Sequence, residues 1–562
     1  MALRRAFLSR AFLICALALS AAPAASPANS TELAFLAPAD IGAGEVRSVT
    51  PILSAAAGAV EVALAEAEAT DDAREQAMLD EIRDFYEARG YAPLWLAAQK
   101  PSRQMNALRR RMDAAAQYGL DPAPYLTPRF ARLHNGDARG LAEADIEFSR
   151  AIARFVTHIA SGRLQPAEVS RIITLEPEFP AIADVLSRLS STAGIAVALI
   201  RYEPPHAQYR ALKAKLAELQ TSDAEDDRIL VPEGDLLKPG EADERVPQLR
   251  KRLGTALADA GEPEIYDEPL VTGVKAFQAE SGLTDDGIIG PHTLVALNGF
   301  SLEDDIAAVL ANMERWRWMP RDLGGFHVMV NAPEFMVRVV KDGAVIHETR
   351  VIVGAPKHRT PTFSHVIDHL IVNPYWNVPA SIVANEILPE IRENPYGYFS
   401  RHGYQVFASS GGRYRQIDPN WVDWYWVNPN AIRIRQVPGD RNALGRIKFM
   451  FPNQHSVYLH DTPTKKLFER DYRALSHGCV RVQNPLDFAD AILPVAAPDW
   501  NSGRLEKLYG GKERRVDLDT PVPVHLAYFT ISIDAAGEIR RSEDIYAYDE
   551  AIAALLRSEP EG

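Results

Sequence analysis

Cysteine is scarce in this 562-residue chain. Cys15 and Cys479 are its two thiols, so no framework of disulfides holds the fold together. Basic charge is in deficit as well. The 61 Lys and Arg against 75 Asp and Glu leave a formal net charge of −14, the wrong balance for binding nucleic-acid phosphates. The apolar run near the N-terminus, Ala11 to Ala22, falls short of the about 18–20 residues of a membrane-spanning helix. The close metal-ligand pairs H-E-x-x-H and C-x-x-C are missing too. What is present is an ordinary globular composition, 47% apolar and 24% charged. The length corresponds to about three or four folding units.

Arg4, Arg5 and Arg10 precede that apolar run, and Pro23-Ala24-Ala25-Ser26 follows it. Charge, apolar segment and small residues in that order predict an export signal over 1–25. If the signal is cleaved, Cys479 is the one cysteine kept. If it is not, the chain stays anchored to the membrane. Residues 26–70, rich in Ala, Pro and Ser, read as a flexible linker.

From 71 to 225 the apolar spacing is helical: Ile82, Phe85 and Tyr86, then Ile152, Phe155, Val156 and Ile159, mark buried helix faces. A second unit at 236–298 has helix faces at Val246, Leu249, Leu253 and Leu257, and at Val271, Val274 and Phe277. Pro291 suits the first turn of a third helix. After Gly324 the period becomes that of strands. Residues 335–340 and 344–353 flank the turn Lys341-Asp342-Gly343, and 365–372 and 454–459 continue the pattern. Between 384 and 435, Tyr396, Tyr398, Trp421, Trp424, Tyr425 and Trp426 crowd an irregular insertion, which reads as a lid, a binding wall or a satellite core.

The chemistry is concentrated around Cys479. A cysteine nucleophile needs a base, a tight backbone at the sulfur, and donors for the oxyanion formed on attack. His460 ends an apparent strand, and Gly478 lets the chain turn just before Cys479. The N–H groups of Gly478 and Cys479 are the candidate oxyanion donors. Arg481, two residues on, faces the side of Cys479 in an extended stretch and suits a carboxylate. Tyr458, Ser476, His477 and Trp424 are further candidates for substrate contact. Imidazolium nearby is expected to lower the Cys479 pKa. Asp461, next to His460 on a strand, should point to the opposite face.

The string His460, fifteen residues, then Ser476-His477-Gly478-Cys479-Val480-Arg481 resembles the catalytic motif of the bacterial L,D-transpeptidases. The unit from Leu237-Lys238-Pro239-Gly240 to Leu297 resembles a peptidoglycan-binding domain. The order of units is similar to the large periplasmic members of Gram-negative bacteria.

The resemblance implies a multidomain α+β chain: a helical scaffold (71–225), a three-helix peptidoglycan-binding domain (236–298) and a β-rich catalytic domain (324–496). It makes 384–435 a capping subdomain, and 497–562 is expected to pack on the catalytic domain. It also implies that Cys479 attacks the third residue, a meso-diaminopimelate, of a donor tetrapeptide stem. D-Ala leaves, and a diaminopimelate-containing acceptor resolves the thioester into a 3→3 crosslink. By the same resemblance His460 is the base, with His477 shaping the loop or touching substrate. Carbapenem-type β-lactams are implied as covalent inhibitors, and no cofactor or metal is implied. Two rival readings are a zinc set of His460, Asp461, His477 and Cys479, and a non-enzymatic wall-binding protein. Hydrolysis in place of transfer is a rival within the favoured class.

Overall fold

The computed structural model describes residues 50–66, 72–97, 100–126, 137–222, 228–257, 262–281, 283–394, 397–410 and 413–558. The expected export signal, Cys15, residues 26–49 and Tyr396 lie outside them. The chain divides into two units, Met1–Pro51 and Ile52–Gly562. A helix, α1 (Thr50–Ala65), lies where a flexible linker was expected, and all but its first two residues belong to the second unit. Alanine has the highest intrinsic helix propensity, and Val60 and Leu64, one turn apart, bury against the scaffold core.

That core is built by α2 (Ala73–Ala88), α3 (Arg103–Asp113), α4 (Ala138–Ser161) and α5 (Ile182–Ser191). The expected stripes are its interior: Ile82, Tyr86, Ile152, Phe155, Val156 and Ile159 are all buried. Asp72 and Asp137 cap α2 and α4 by accepting from first-turn N–H groups. Buried Asp145 of α4 accepts from the N–H groups of Leu94 and Trp95 and from the Tyr86 phenol, which fixes the turn after α2. The next helix, α6 (Ala207–Gln220), instead packs with the second half of the molecule through Tyr209, Leu212 and Leu216.

Three helices, α7 (Val246–Leu253), α8 (Glu268–Glu280) and α9 (Pro291–Asn298), enclose a small separate core. The long α10 (Leu302–Trp318) follows. A Ser301–Asp304 capping box opens it, acids fill its first turn, and Arg315 and Arg317 close it, so its charges oppose the helix dipole at both ends. Its ionic side chains tie the two halves together. Glu314 accepts from the N–H groups of Arg163 and Leu164 and from Arg317, while Arg315 pairs with Asp549.

Nine strands follow: β1 (Phe326–Asn331), β2 (Met336–Lys341), β3 (Ala344–Gly354), β4 (Phe363–Val372), β5 (Ile447–Met450), β6 (Leu459–His460), β7 (Ala474–Ser476), β8 (Val480–Val482) and β9 (Arg514–Ala527). Their spatial order is β7-β3-β8-β6-β5-β4-β9-β1-β2, and β2 pairs back onto β3, which closes the sheet into a barrel. The β2–β3 turn has positive φ at both Asp342 and Gly343, the geometry that an Asp-Gly hairpin demands. Two expectations need correction. Of 454–459 only Leu459 is in a strand, because Asn453 clasps the N–H groups of His455 and Val457 in a side-chain turn. And the chain beyond 496 does not merely pack on the domain: β9 lies between β4 and β1 and completes the barrel.

The insertion between β4 and β5 is a subdomain with its own antiparallel sheet, ordered Trp376–Asn377, Ile432–Gln436, Tyr404–Ser410, Arg413–Ile417. Its own core includes Val383, Ile387, Ile391, Phe399 and Ile434. Among the described residues no helix is long and apolar enough to cross a membrane.

Candidate active site

Strands β5, β6 and β8 place three polar side chains in one row. His460 lies opposite Lys448 on one side and Arg481 on the other, so all three project from the same face of the sheet. Their strand neighbours Phe449, Leu459 and Val480 are fully buried in the barrel. The apolar alternation of three short strands is therefore what aligns the polar row.

His460 is buried, and its Nδ1 is 2.5 Å from the carbonyl oxygen of Asp461. A carbonyl only accepts, so Nδ1 carries the proton and the neutral ring has a bare Nε2. Burial, reinforced by the charges of Arg481, Lys448 and Lys465, pushes the His460 pKa down to about 3. The imidazole is thus neutral at physiological pH, and its tautomer is fixed. The Asp461 carboxylate takes no part in this. It accepts from the N–H groups of Arg446 and Thr462 and from Lys465 Nζ, as its position on the strand predicts. Gly445 backs against that carboxylate so closely that a Cβ there would come within 2.3 Å of it.

Cys479 sits in the β7–β8 turn. Gly478 before it has φ 108°, a conformation essentially reserved for glycine. The Ser476 hydroxyl locks the turn, donating to the Cys479 carbonyl at 2.6 Å and accepting from the Gly478 N–H at 3.1 Å. From the other side Thr360 donates to the Gly478 carbonyl. Three expectations change here. Ser476 is buried and acts on the backbone, not on a substrate. The Gly478 N–H is already engaged, so it is no oxyanion donor. The Cys479 N–H has no acceptor among the described residues and is the donor that remains. Third, burial pushes the Cys479 thiol up, against smaller opposing effects from hydrogen bonds with Tyr458 and the charges of Arg481 and Lys448. With His460 neutral, the resting pair is thiol and imidazole, not thiolate and imidazolium.

Tyr458 hydrogen-bonds the thiol, and its ring meets the edge of His460 at 5.7 Å between centroids. Arg481 has no hydrogen-bond or ion-pair partner among the described residues, and burial lowers its pKa while the Cys479 charge opposes that shift. His477 turns away from the barrel. Its Nε2 is 2.5 Å from Glu386 Oε1 of the insertion, and its ring packs at 4.7 Å on His358. Trp424, expected at the substrate, lies in the insertion's own core instead. It packs on Phe399 and donates to the Pro419 carbonyl. Among the described residues the exposed aromatics of the insertion are Tyr414, Trp421, Tyr425 and Trp426. Lys448, Glu386 and Thr360 escaped the sequence reading. Lys448 alone had a signal, a cation within an otherwise apolar strand. Among the described residues no group of three or more His, Cys, Asp and Glu side chains is disposed to hold a metal.

Residues 325–524 match the family model described as "L,D-transpeptidase catalytic domain". The chain carries an L,D-transpeptidase catalytic domain. Residues 80–216 match "Scaffold domain" and residues 242–297 match "Putative peptidoglycan binding domain", so the L,D-transpeptidase domain is accompanied by the two units expected from the sequence. A relative in Haemophilus influenzae, named "Putative L,D-transpeptidase", is 36% identical over 255 residues, covering 45% of this chain and 50% of that protein. The chain thus spans half the length of that relative. Solved structures of an L,D-transpeptidase from Mycobacterium smegmatis (12% identity, TM-score 0.17, 36% of this chain and 58% of that one) and from Xylanimonas cellulosilytica (16%, 0.15, 52% and 98%) are similar in part. At those scores they carry no argument.

Proposed function

We propose that the protein is an exported, periplasmic peptidoglycan L,D-transpeptidase that forms 3→3 crosslinks through a Cys479 thioester. The observation that carries this reading is the polar row. A neutral His460 of fixed tautomer stands between two cations, on the strand beside the one that follows Cys479. In the first half-reaction His460 Nε2 takes the thiol proton as Sγ attacks the diaminopimelate carbonyl of a donor tetrapeptide. The Cys479 N–H stabilises the resulting oxyanion. The C–N bond to D-Ala then breaks, and the amine leaves with the proton returned by His460. In the second, the acceptor's amine attacks the thioester, gives its proton to His460, and the thiolate leaves and is reprotonated. Each half-reaction is acyl transfer, so one nucleophile and one base serve both.

The resting site makes proton transfer difficult, because burial raises the thiol and lowers the imidazole. A stem carboxylate paired with Arg481 offsets one of the charges that depress His460, so substrate helps to switch on its own base. The insertion acts as a cap, held to the cysteine loop by Glu386 and His477, and limits water at the thioester. Carbapenem-type β-lactams acylate the same sulfur. Incubation with tetrapeptide-bearing wall fragments tests the reading: mass spectrometry should find crosslinked dimers with loss of D-Ala. Cys479→Ala should give none.

A further inference from the structure

A sizeable cavity lies in the helical scaffold, away from Cys479. It holds about 700 Å³, within the usual range for small-ligand sites. The first turns of α2 and α5 both open onto it, as does the last part of α4. Arg74 of α2 lines it with the Nε atom buried and without a hydrogen-bond partner among the described residues. One of its Nη atoms reaches only a neutral carbonyl, that of Gly162. Its guanidinium lies over the ring of Phe179, 4.5 Å from the centroid, and Phe179 is half-exposed. With one Nη on that carbonyl and the other without a hydrogen-bond partner among the described residues, the outer edge of the guanidinium is free to take an acceptor that comes from outside.

The lining is mixed in charge: Arg74, Arg154 and Arg163 stand among Asp72, Glu75, Glu81 and Asp121, and the charges acting on Arg74 are the carboxylates of Glu314, Asp72, Glu168 and Glu75. His158 of α4 also lines the cavity, hydrogen-bonded through Nδ1 to the Tyr125 phenol. Burial holds it neutral, and the charges acting on it beyond that are those of Arg74, Arg163, Arg154 and Arg317, all of which push its pKa down. Carboxylates line the cavity too, but each is engaged. Glu75 forms a bidentate pair with Arg154, Asp72 caps α2, and Glu81 and Asp121 accept the N–H groups of Ile182 and Ala123. They weigh against a polyanion such as a nucleotide and suit a ligand that carries an amine beside its carboxylate. Met78, Pro124 and Ile182 supply an apolar wall.

We propose that this cavity is a second ligand site, which seats the carboxylate of a short zwitterionic peptide on Arg74 with the peptide's apolar body against Phe179. The choice of a stem tetrapeptide as probe rests on the proposed function.

Hydrogen–deuterium exchange of the full chain, read with the free tetrapeptide, with the same peptide carrying amides in place of carboxylates, and with inorganic phosphate, tests this. The free tetrapeptide should slow exchange in 73–82 and 154–163. Loss of a charge-assisted hydrogen bond should make the amidated peptide about tenfold weaker, and phosphate should leave both segments unchanged. Phe179→Ala, at a half-exposed position and shown to be folded by circular dichroism, should raise the half-saturating concentration several-fold. Arg74→Lys should weaken binding less than Arg74→Leu. Unchanged exchange in both segments with saturating tetrapeptide would overturn the proposal, as would equal protection by the amidated peptide. Acylation of Cys479 by the same tetrapeptide, followed separately by intact mass, distinguishes failure of this site from failure of the functional reading.

Discussion

Across the boundary between the inserted subdomain and the cysteine loop, Nε2 of His477 meets Oε1 of Glu386 at 2.5 Å. The pair links the residue two before the nucleophile to a segment about ninety positions earlier in the chain. Both side chains are about half exposed, 37% and 49%, so the link is a weak latch, worth about 0.2–1 kcal/mol.

The first prediction follows from that latch. Glu386→Gln should loosen the cap without touching the barrel, raising the proportion of hydrolysed over crosslinked product. Given the small energy, alkylation of Cys479 should accelerate by no more than about fivefold. Product ratios by mass spectrometry check this; an unchanged ratio would mean that the cap is held elsewhere.

The thiol supplies the second. Burial raises its pKa, so the midpoint of iodoacetamide alkylation against pH should lie higher in the folded protein than in the urea-unfolded chain. A lower midpoint in the folded protein would restore the imidazolium-activated thiolate that the sequence suggested.

Acid lability is the third. His460 has its pKa lowered to about 3, and His206 and His525 to about 4, each chiefly by burial. In the unfolded chain a histidine takes its proton near pH 6.5. Between those values unfolding takes up protons, so stability is complete above about 6.5 and is lost as pH falls toward 4, at about 1.4 kcal/mol per pH unit for each group. Urea midpoints at pH 7 and pH 5 measure this. His525→Gln should flatten the difference by one proton's worth. His525 Nδ1 pairs with Ser364 and its Nε2 with the Leu323 carbonyl, and glutamine can imitate one of these.

The fourth concerns Gly445. Its φ is +61°, and a Cβ there would meet the Asp461 carboxylate at 2.3 Å. Gly445→Ala should cost about 1–3 kcal/mol. It should also slow acylation, because the backbone carbonyl that orients His460 belongs to Asp461. Thermal unfolding and acylation rates together distinguish this from a purely structural loss. An acylation rate equal to that of the unsubstituted chain, in folded protein, would contradict it.

Where a signal was local, sequence was a good guide. Asp342-Gly343 predicts a hairpin because its backbone geometry is set by two residues, and the His–Ser-His-Gly-Cys-Val-Arg spacing is carried by adjacent short strands. What failed was set by distant partners or by a competing local bond. Trp424 reads as a substrate contact until Phe399 is placed against it. Gly478 reads as an oxyanion donor until the Ser476 hydroxyl takes its N–H. Residues 50–65 read as a linker because their apolar period is weak, and only the scaffold core that receives Val60 and Leu64 shows why the helix is there. Glu386 carries no signal at all in sequence, since its partner is in another subdomain.

The central claim is that His460, not His477, is the base for Cys479. The direct measurement is the rate of thioester formation with tetrapeptide, followed by intact mass in the unsubstituted chain, His460→Ala and His477→Asn, each shown to be folded by circular dichroism. Loss of a general base should slow His460→Ala by on the order of 10²–10⁴-fold, while His477→Asn keeps a measurable fraction of the unsubstituted rate. Equal slowing of both variants, or the reverse order, would contradict the account.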